Sequence, residues 1–203
     1  MTVDVTMHAR HDLFNLIALP LVVLFLFDYL LSCYHHHDGW YGENFLQICV
    51  VGELYFVVDV IWLVIWPTSV ASPYVIKCHH LLCCIGWCFP LWWPEMAPYA
   101  AACLLVEVNT IFLISKRYFR NTPHLQRILK ICFHLSWVGL RMINYPVICY
   151  LYSFEVQQRY SSSGSVVNPT TAAMLMLLSL TCLNGRWSWD LYFQSNTIAK
   201  KGL

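Results

Sequence analysis

The chain has 203 residues, 59% of them hydrophobic and only 11% charged, with a formal net charge of +1. A soluble domain carries about 25% charged residues. This chain lacks the polar surface a water-soluble globule needs and reads as an all-α, multispanning membrane protein. Its near-neutral balance, with no basic run interleaved with aromatics, excludes a nucleic-acid partner.

A spanning helix needs about 20 mostly apolar residues, and by that rule the sequence predicts about six. The first begins between Val5 and Leu13 and ends near Leu31. It is too long for the apolar core of a signal peptide, and Arg10 in its flank is balanced by Asp4 and Asp12, so it is read as retained. The next five are Asn44–Trp66, Tyr74–Trp93, Pro98–Ser115, Gln126–Tyr152 and Thr171–Phe193. Pro67, Pro73, Pro94, Pro98, Pro123 and Pro169 fall between these runs, where helices stop. Pro20, Pro90 and Pro146 fall inside them, where neighbouring helices absorb a kink. Ser153–Thr170 is the longest polar linker. No repeat and no soluble domain is evident, so residues 1–203 form a single transmembrane domain with its core at about 5–195 and a short tail, 196–203.

Lys and Arg set the orientation. Lys116, Arg117, Arg120, Arg127 and Lys130 fall between spans four and five, and Arg10, Lys77, Lys200 and Lys201 fall on the same side. Arg159 stands alone opposite. Both termini are therefore expected in the cytosol. The tail ends Lys200-Lys201-Gly202-Leu203, which is similar to a dilysine signal for retrieval to the endoplasmic reticulum, although two lysines closing a last span read the same way.

The ten cysteines do not form a disulfide framework; all but Cys33 fall in apolar runs, where a thiol behaves as a small hydrophobe. The polar groups at membrane depth are more informative. These are Asp59 in the second span, His79 and His80 in the third, Glu107 and Asn109 in the fourth, Arg141 in the fifth with His134 and Asn144 near its stripe, and Asn184 with Trp187 in the sixth. A charge at helix centre costs about 2.5–3.5 kcal/mol and a Leu returns about 0.3–0.6 kcal/mol, so such groups must meet one another or face a wet cavity. The second span, with Glu53 and Asp59, barely covers its own cost. Arg141 opposite Glu107 or Asp59 would lower it.

Helix geometry limits who can meet. His79 and His80 stand about 100° apart around the axis, so one can face a cavity while the other packs on a neighbour. Glu107 and Asn109 point to nearly opposite faces, while 134, 141 and 144–145 share one. Cys78, His79, His80, Cys83 and Cys84 offer ligands at i, i+4 spacing, but the Cys-x-x-Cys pairs of a closed zinc site are absent, and no metal is expected. His35-His36-His37-Asp38 reads as a solvated turn on the side opposite the termini. Arg186 and Asp190 read as an interfacial i, i+4 ion pair, and Glu95 and Arg159 as loop charges.

Tyr55-Phe56-Val57-Val58-Asp59, then His79-His80, Glu107-x-Asn109-Thr110-x-Phe112-Leu113, Arg141 with Pro146, and Asn184-x-x-Trp187 resemble, in order and spacing, the TLC-domain family. Closest is its branch of small TLC domain-containing transmembrane proteins; ceramide synthases are more distant. Thr6-Met7-His8-Ala9 resembles the start of the family's first core helix. An extra N-terminal helix common among the nearest relatives has no counterpart here. The resemblance implies a six-helix membrane barrel around a cavity that admits a membrane lipid or fatty acyl chain, with Glu107, Asn109, Arg141, Asn184 and Trp187 lining it. In ceramide synthases the matching His pair and nearby Asp residues serve acyl transfer from acyl-CoA to a sphingoid base. Carried over, His79 and His80 would be base or nucleophile and Asp59 their orienting carboxylate. The His-Asp-x-x-Asp signature that follows the His pair in those enzymes is replaced by Glu107-Val108-Asn109-Thr110. Three readings stay open. The first is a lipid-homeostasis protein that binds lipid without a cofactor. The second is an acyl-CoA-dependent N-acyltransferase making ceramide-type sphingolipids. The third is a structural helper for membrane-protein insertion or cargo export.

Overall fold

A computed structural model describes residues 4–35 and 44–201, and side chains for 4–34 and 44–191. The histidine run from His35 to Asp38 and the dilysine side chains lie outside the described side chains. All regular structure among the described residues is helical: α1 (Val5–His35), α2 (Phe45–Ile65), α3 (Pro73–Trp92), α4 (Ala97–Leu104), α5 (Val106–Tyr118), α6 (Pro123–Ser136), α7 (Asn144–Ser163) and α8 (Pro169–Lys201). Short 3-10 turns at Pro67–Ser69 and Pro94–Met96 precede α3 and α4.

Proline sets many of these boundaries. Pro73, Pro123 and Pro169 are the first residues of α3, α6 and α8, where a missing N–H costs nothing. Pro20 and Pro90 lie inside α1 and α3, as expected. The predicted fourth span divides at Leu105 into α4 and α5. The predicted fifth is a longer rod, because α6 runs through a π-helical segment, Trp137–Ile143, into α7. The expected linker 153–170 shrinks to 164–168. Ser161, Ser162 and Ser163 bond back to the carbonyls of Gln157 and Arg159, which lets a polar helix continue to Ser163.

Val5–Tyr34, Phe45–Ile65, Pro73–Trp92 and Pro94–Tyr118 are long and apolar enough to cross a bilayer. Six were expected. The rods holding Arg141 and Asn184 fall short because polar residues dilute them and the π segment divides the fifth. The wide apolar exposure along the helices, Leu24, Val50, Leu54, Ile61, Leu81 and Leu135 among them, suits contact with lipid rather than water.

Helix packing follows a closed order. α1 lies against α2 and α5, α2 against α3, α3 against α8, α8 against α7, and α6 returns to α5. α4 lies against α1, α3 and α7. The α2–α3 seam is tight, since a Cβ placed on Gly52 would stand 3.4 Å from the Trp87 ring. Two apolar clusters fill the interior. One is built on α1, α2 and α3 around Leu19, Leu26, Phe56 and Trp87, the other on α7 and α8 around Tyr145, Ile148, Tyr152 and Leu177.

Candidate functional site: a slot beside two buried polar networks

His79 is the seventh residue of α3, about 9 Å in from its first residue at 1.5 Å per residue. Around that depth the polar side chains sort into two networks. The first joins α1, α2 and α3. Asp59 is fully buried; its Oδ1 lies 2.7 Å from His11 Nε2. Its Oδ2 lies 2.7 Å from His80 Nδ1, off the line of a good hydrogen bond. Asn15 Nδ2 lies 3.2 Å from His11 Nε2 and donates to the His11 carbonyl, while the Tyr55 hydroxyl donates to Asn15 Oδ1 at 2.8 Å.

The second network centres on Arg141, in the π segment. Its Nε donates to Asn109 Oδ1 at 2.9 Å, one terminal nitrogen to Asn184 Oδ1 at 2.8 Å, and the other to Thr110 Oγ1 at 3.2 Å. The guanidinium also stands 5.0 Å from the Trp137 ring and 5.4 Å from the Trp187 ring. Asn109 in turn donates to the Phe133 carbonyl and Ser136 Oγ. π segments inside helices recur at functional sites, and this one sets Arg141 inward. It also changes the angular step, so His134 loses the stripe it was expected to share and is exposed, while Tyr145 is buried.

His79 lies between the networks, its ring 5.3 Å from His80 and 5.1 Å from Trp187. His80 therefore packs on Asp59 and His79 faces a cavity, the division that 100° of helix rotation requires. This cavity of about 100 Å³ opens between α3, α4, α7 and α8. His79 and Glu107 mark one end; Phe89, Pro90, Met96 and Tyr152 mark the other. Between them the wall is apolar apart from thiols and tyrosine hydroxyls. His79 and Pro90 are eleven residues apart on α3, which makes the slot about 16 Å long.

Arg141 is buried and off the lipid face, but among the described residues it makes no ion pair with Glu107 or Asp59. Two histidines engage Asp59, and neutral oxygens occupy Arg141. Glu107 is buried within electrostatic reach of both. Of the five residues expected to line the cavity, only Glu107 does so. Asn109, Arg141, Asn184 and Trp187 stand outside the wall because they bond or stack on one another. His80 and Asp59 likewise stand behind His79.

Three features escaped sequence reasoning. His11 and Asn15 share a face of α1 at i, i+4 spacing inside an apolar run, a signal that was available. Arg117, counted only as a topogenic charge, reaches Asp12 Oδ1 at 2.6 Å. Arg159 pairs with Glu95 at 2.9 Å, although the two looked like unrelated loop charges. Arg186 and Asp190 are the expected exposed pair, at 3.8 Å. Among the described residues no group of three His, Cys, Asp or Glu side chains is placed to hold a metal ion.

A family model described as the TLC domain matches residues 13–192. No curated protein and no solved structure matches the chain.

Proposed function

The chain belongs to the TLC-domain family, whose members are membrane-associated and lipid-related, and from that premise we propose that it handles a single lipid or fatty acyl chain in the slot. The observation that carries this reading is the slot itself: an apolar channel about 16 Å long that ends on two buried polar groups, His79 and Glu107. Hydrocarbon fits the channel, and the polar end of the ligand meets imidazole and carboxyl. The closed helix order supports a six-span, barrel-like arrangement. The Lys and Arg asymmetry supports cytosolic termini, and the Lys200-Lys201 tail supports residence in the endoplasmic reticulum.

Acyl-CoA-dependent N-acyl transfer is the second reading, favoured by His80 Nδ1 standing 2.7 Å from Asp59. A carboxylate hydrogen-bonded to an imidazole nitrogen would fix its tautomer and orientation, and a small rotation of His80 would align this pair. Against it, Glu107-Val108-Asn109-Thr110 stands where the His-Asp-x-x-Asp signature is expected, and its Asn109 and Thr110 are engaged by Arg141. A purely structural helper has no need of either buried network.

The test is lipid retention. Wild-type protein purified in mild detergent should carry acyl lipid detectable by extraction and mass spectrometry. Ala100→Trp, which fills the slot, should lose it while eluting as a single species. Equal lipid in the two proteins refutes the slot as the binding site. Labelled acyl-CoA with a long-chain base tests the second reading: N-acyl product from wild type, lost in His79→Ala/His80→Ala, would establish it.

A further inference from the structure

We propose that Cys83 and His79 form a thiol–imidazole pair that accepts an acyl group from an ester or thioester, giving S-acyl-Cys83 at the polar end of the slot. This rests on the slot being an acyl-chain site. The two residues are i, i+4 on α3, one turn apart on one face. Cys83 Sγ lies 3.8 Å from His79 Nε2, and both side chains line the slot. Of the α3 cysteines, Cys78 and Cys88 are exposed and Cys84 lies beside Glu53; Cys83 alone lines the slot. Cys103 lines it from α4 but makes no hydrogen bond to an imidazole among the described residues.

Two further observations point to a ligand at this pair. His79 is 5% exposed, and its second nitrogen, Nδ1, is buried with no hydrogen-bond partner. Glu107, 3% exposed, shares the same end of the slot. Buried polar atoms are rarely left unmatched unless a ligand, water or chemistry uses them.

The step balances without any redox partner. Nε2 of His79 takes the thiol proton as the Sγ–carbonyl bond forms. The tetrahedral adduct then collapses by breaking the bond from the acyl carbon to the leaving sulfur or oxygen. The leaving group departs with the proton returned from Nε2. The products are S-acyl-Cys83 and a free thiol or a lysolipid alcohol. The apolar walls exclude the water that would hydrolyse the thioester.

The experiment uses the full chain in nanodiscs with two donors, alkyne-palmitoyl-CoA and phosphatidylcholine bearing an alkyne-palmitoyl chain. Adducts are located by peptide mass spectrometry. A diazirine-bearing palmitic acid reports slot occupancy independently. The expected result is an adduct on Cys83, released by neutral hydroxylamine, absent in Cys83→Ala, and formed about 100-fold or more slowly in His79→Gln, the usual scale for loss of a general base. The donor that works identifies the acyl source. Should His79→Gln misfold, Cys83→Ser replaces it: an imidazole-assisted hydroxyl yields an ester that resists neutral hydroxylamine, and its absence overturns the pair. Acylation confined to Cys78, Cys88 or Cys182, or undiminished at Cys83 in His79→Gln, also overturns it. Photolabelling without any Cys83 adduct overturns the pair and leaves the slot reading standing. Absence of both removes the two together.

Discussion

Asp59→Asn isolates what the α1–α2–α3 network contributes. Asp59 is fully buried and two imidazole nitrogens stand 2.7 Å from its oxygens. Asparagine keeps the volume but replaces one acceptor with a donor, so one histidine loses its partner. Hydrogen bonds involving a charged group contribute about 1.5–3 kcal/mol, and the expected loss is about 2–3 kcal/mol. For a chain of this size each kcal/mol moves the melting midpoint by about 2–4 °C, so the drop should be about 4–12 °C. Asp59→Ala, which also leaves a void, should cost more, about 3–5 kcal/mol. The assay is fluorescence-detected thermal melting of detergent-solubilised protein at one scan rate. Asp190→Asn is the control, because its partner Arg186 is exposed and such pairs contribute about 0–1 kcal/mol. Combining Asp59→Asn with His11→Gln should show a coupling of about 1 kcal/mol, the scale for residues in one network. An Asp59→Asn midpoint equal to that of Asp190→Asn, or strict additivity with His11→Gln, would refute the claim that these side chains act as one unit.

Two further outcomes follow from the same packing. Arg141→Lys should melt lower by about 2 kcal/mol or more, since one ammonium cannot reach Asn109, Asn184 and Thr110 together or stack between two indoles; lysine matching arginine in the melt would contradict this. Gly52→Leu should cost about 1–3 kcal/mol by overpacking the α2–α3 seam against Trp87, whereas Gly52→Ala, at ordinary contact distance, should be tolerated; equal melts for Leu and Ala would show that the seam is loose.

The helical, membrane-spanning class was legible from composition alone, because 11% charged residues cannot coat a soluble domain. The starts of α3, α6 and α8 were legible from proline. The division between His79 and His80 was legible too, since 100° of rotation forbids both from facing one target. Arg141's burial was readable, but its partners were not. Sequence reasoning paired the cation with the nearest anions by charge, whereas a planar fork with five donors is equally satisfied by neutral oxygens at the right spacing. The π segment was invisible in the sequence: no residue type encodes it uniquely, and it moved His134 out of phase with Arg141. His11 could have been found. A His and an Asn four residues apart inside an apolar helix repeat the logic that singled out His79 and His80.

These pairings also separate structure from chemistry at the polar centre. A buried polar group bonded on every side has little left to offer a ligand. That describes Asn109, whose amide and carbonyl are both engaged, and most of Arg141's fork. Asp59 differs: His11 holds its Oδ1, while its Oδ2 has His80 beside it without an aligned hydrogen bond, and it stands behind His79 rather than in the wall. The groups that line the slot are different ones. His79 has an unmatched Nδ1, Glu107 has no ion pair within 4 Å among the described residues, and both line the slot. The TLC resemblance singles out His79 and His80 alike, but their surroundings make them unequal. His80 stands against a carboxylate behind the wall, while His79 faces the slot with a thiol one turn away. The proposed chemistry therefore starts at His79, whose ring packs against one member of each buried network, His80 and Trp187.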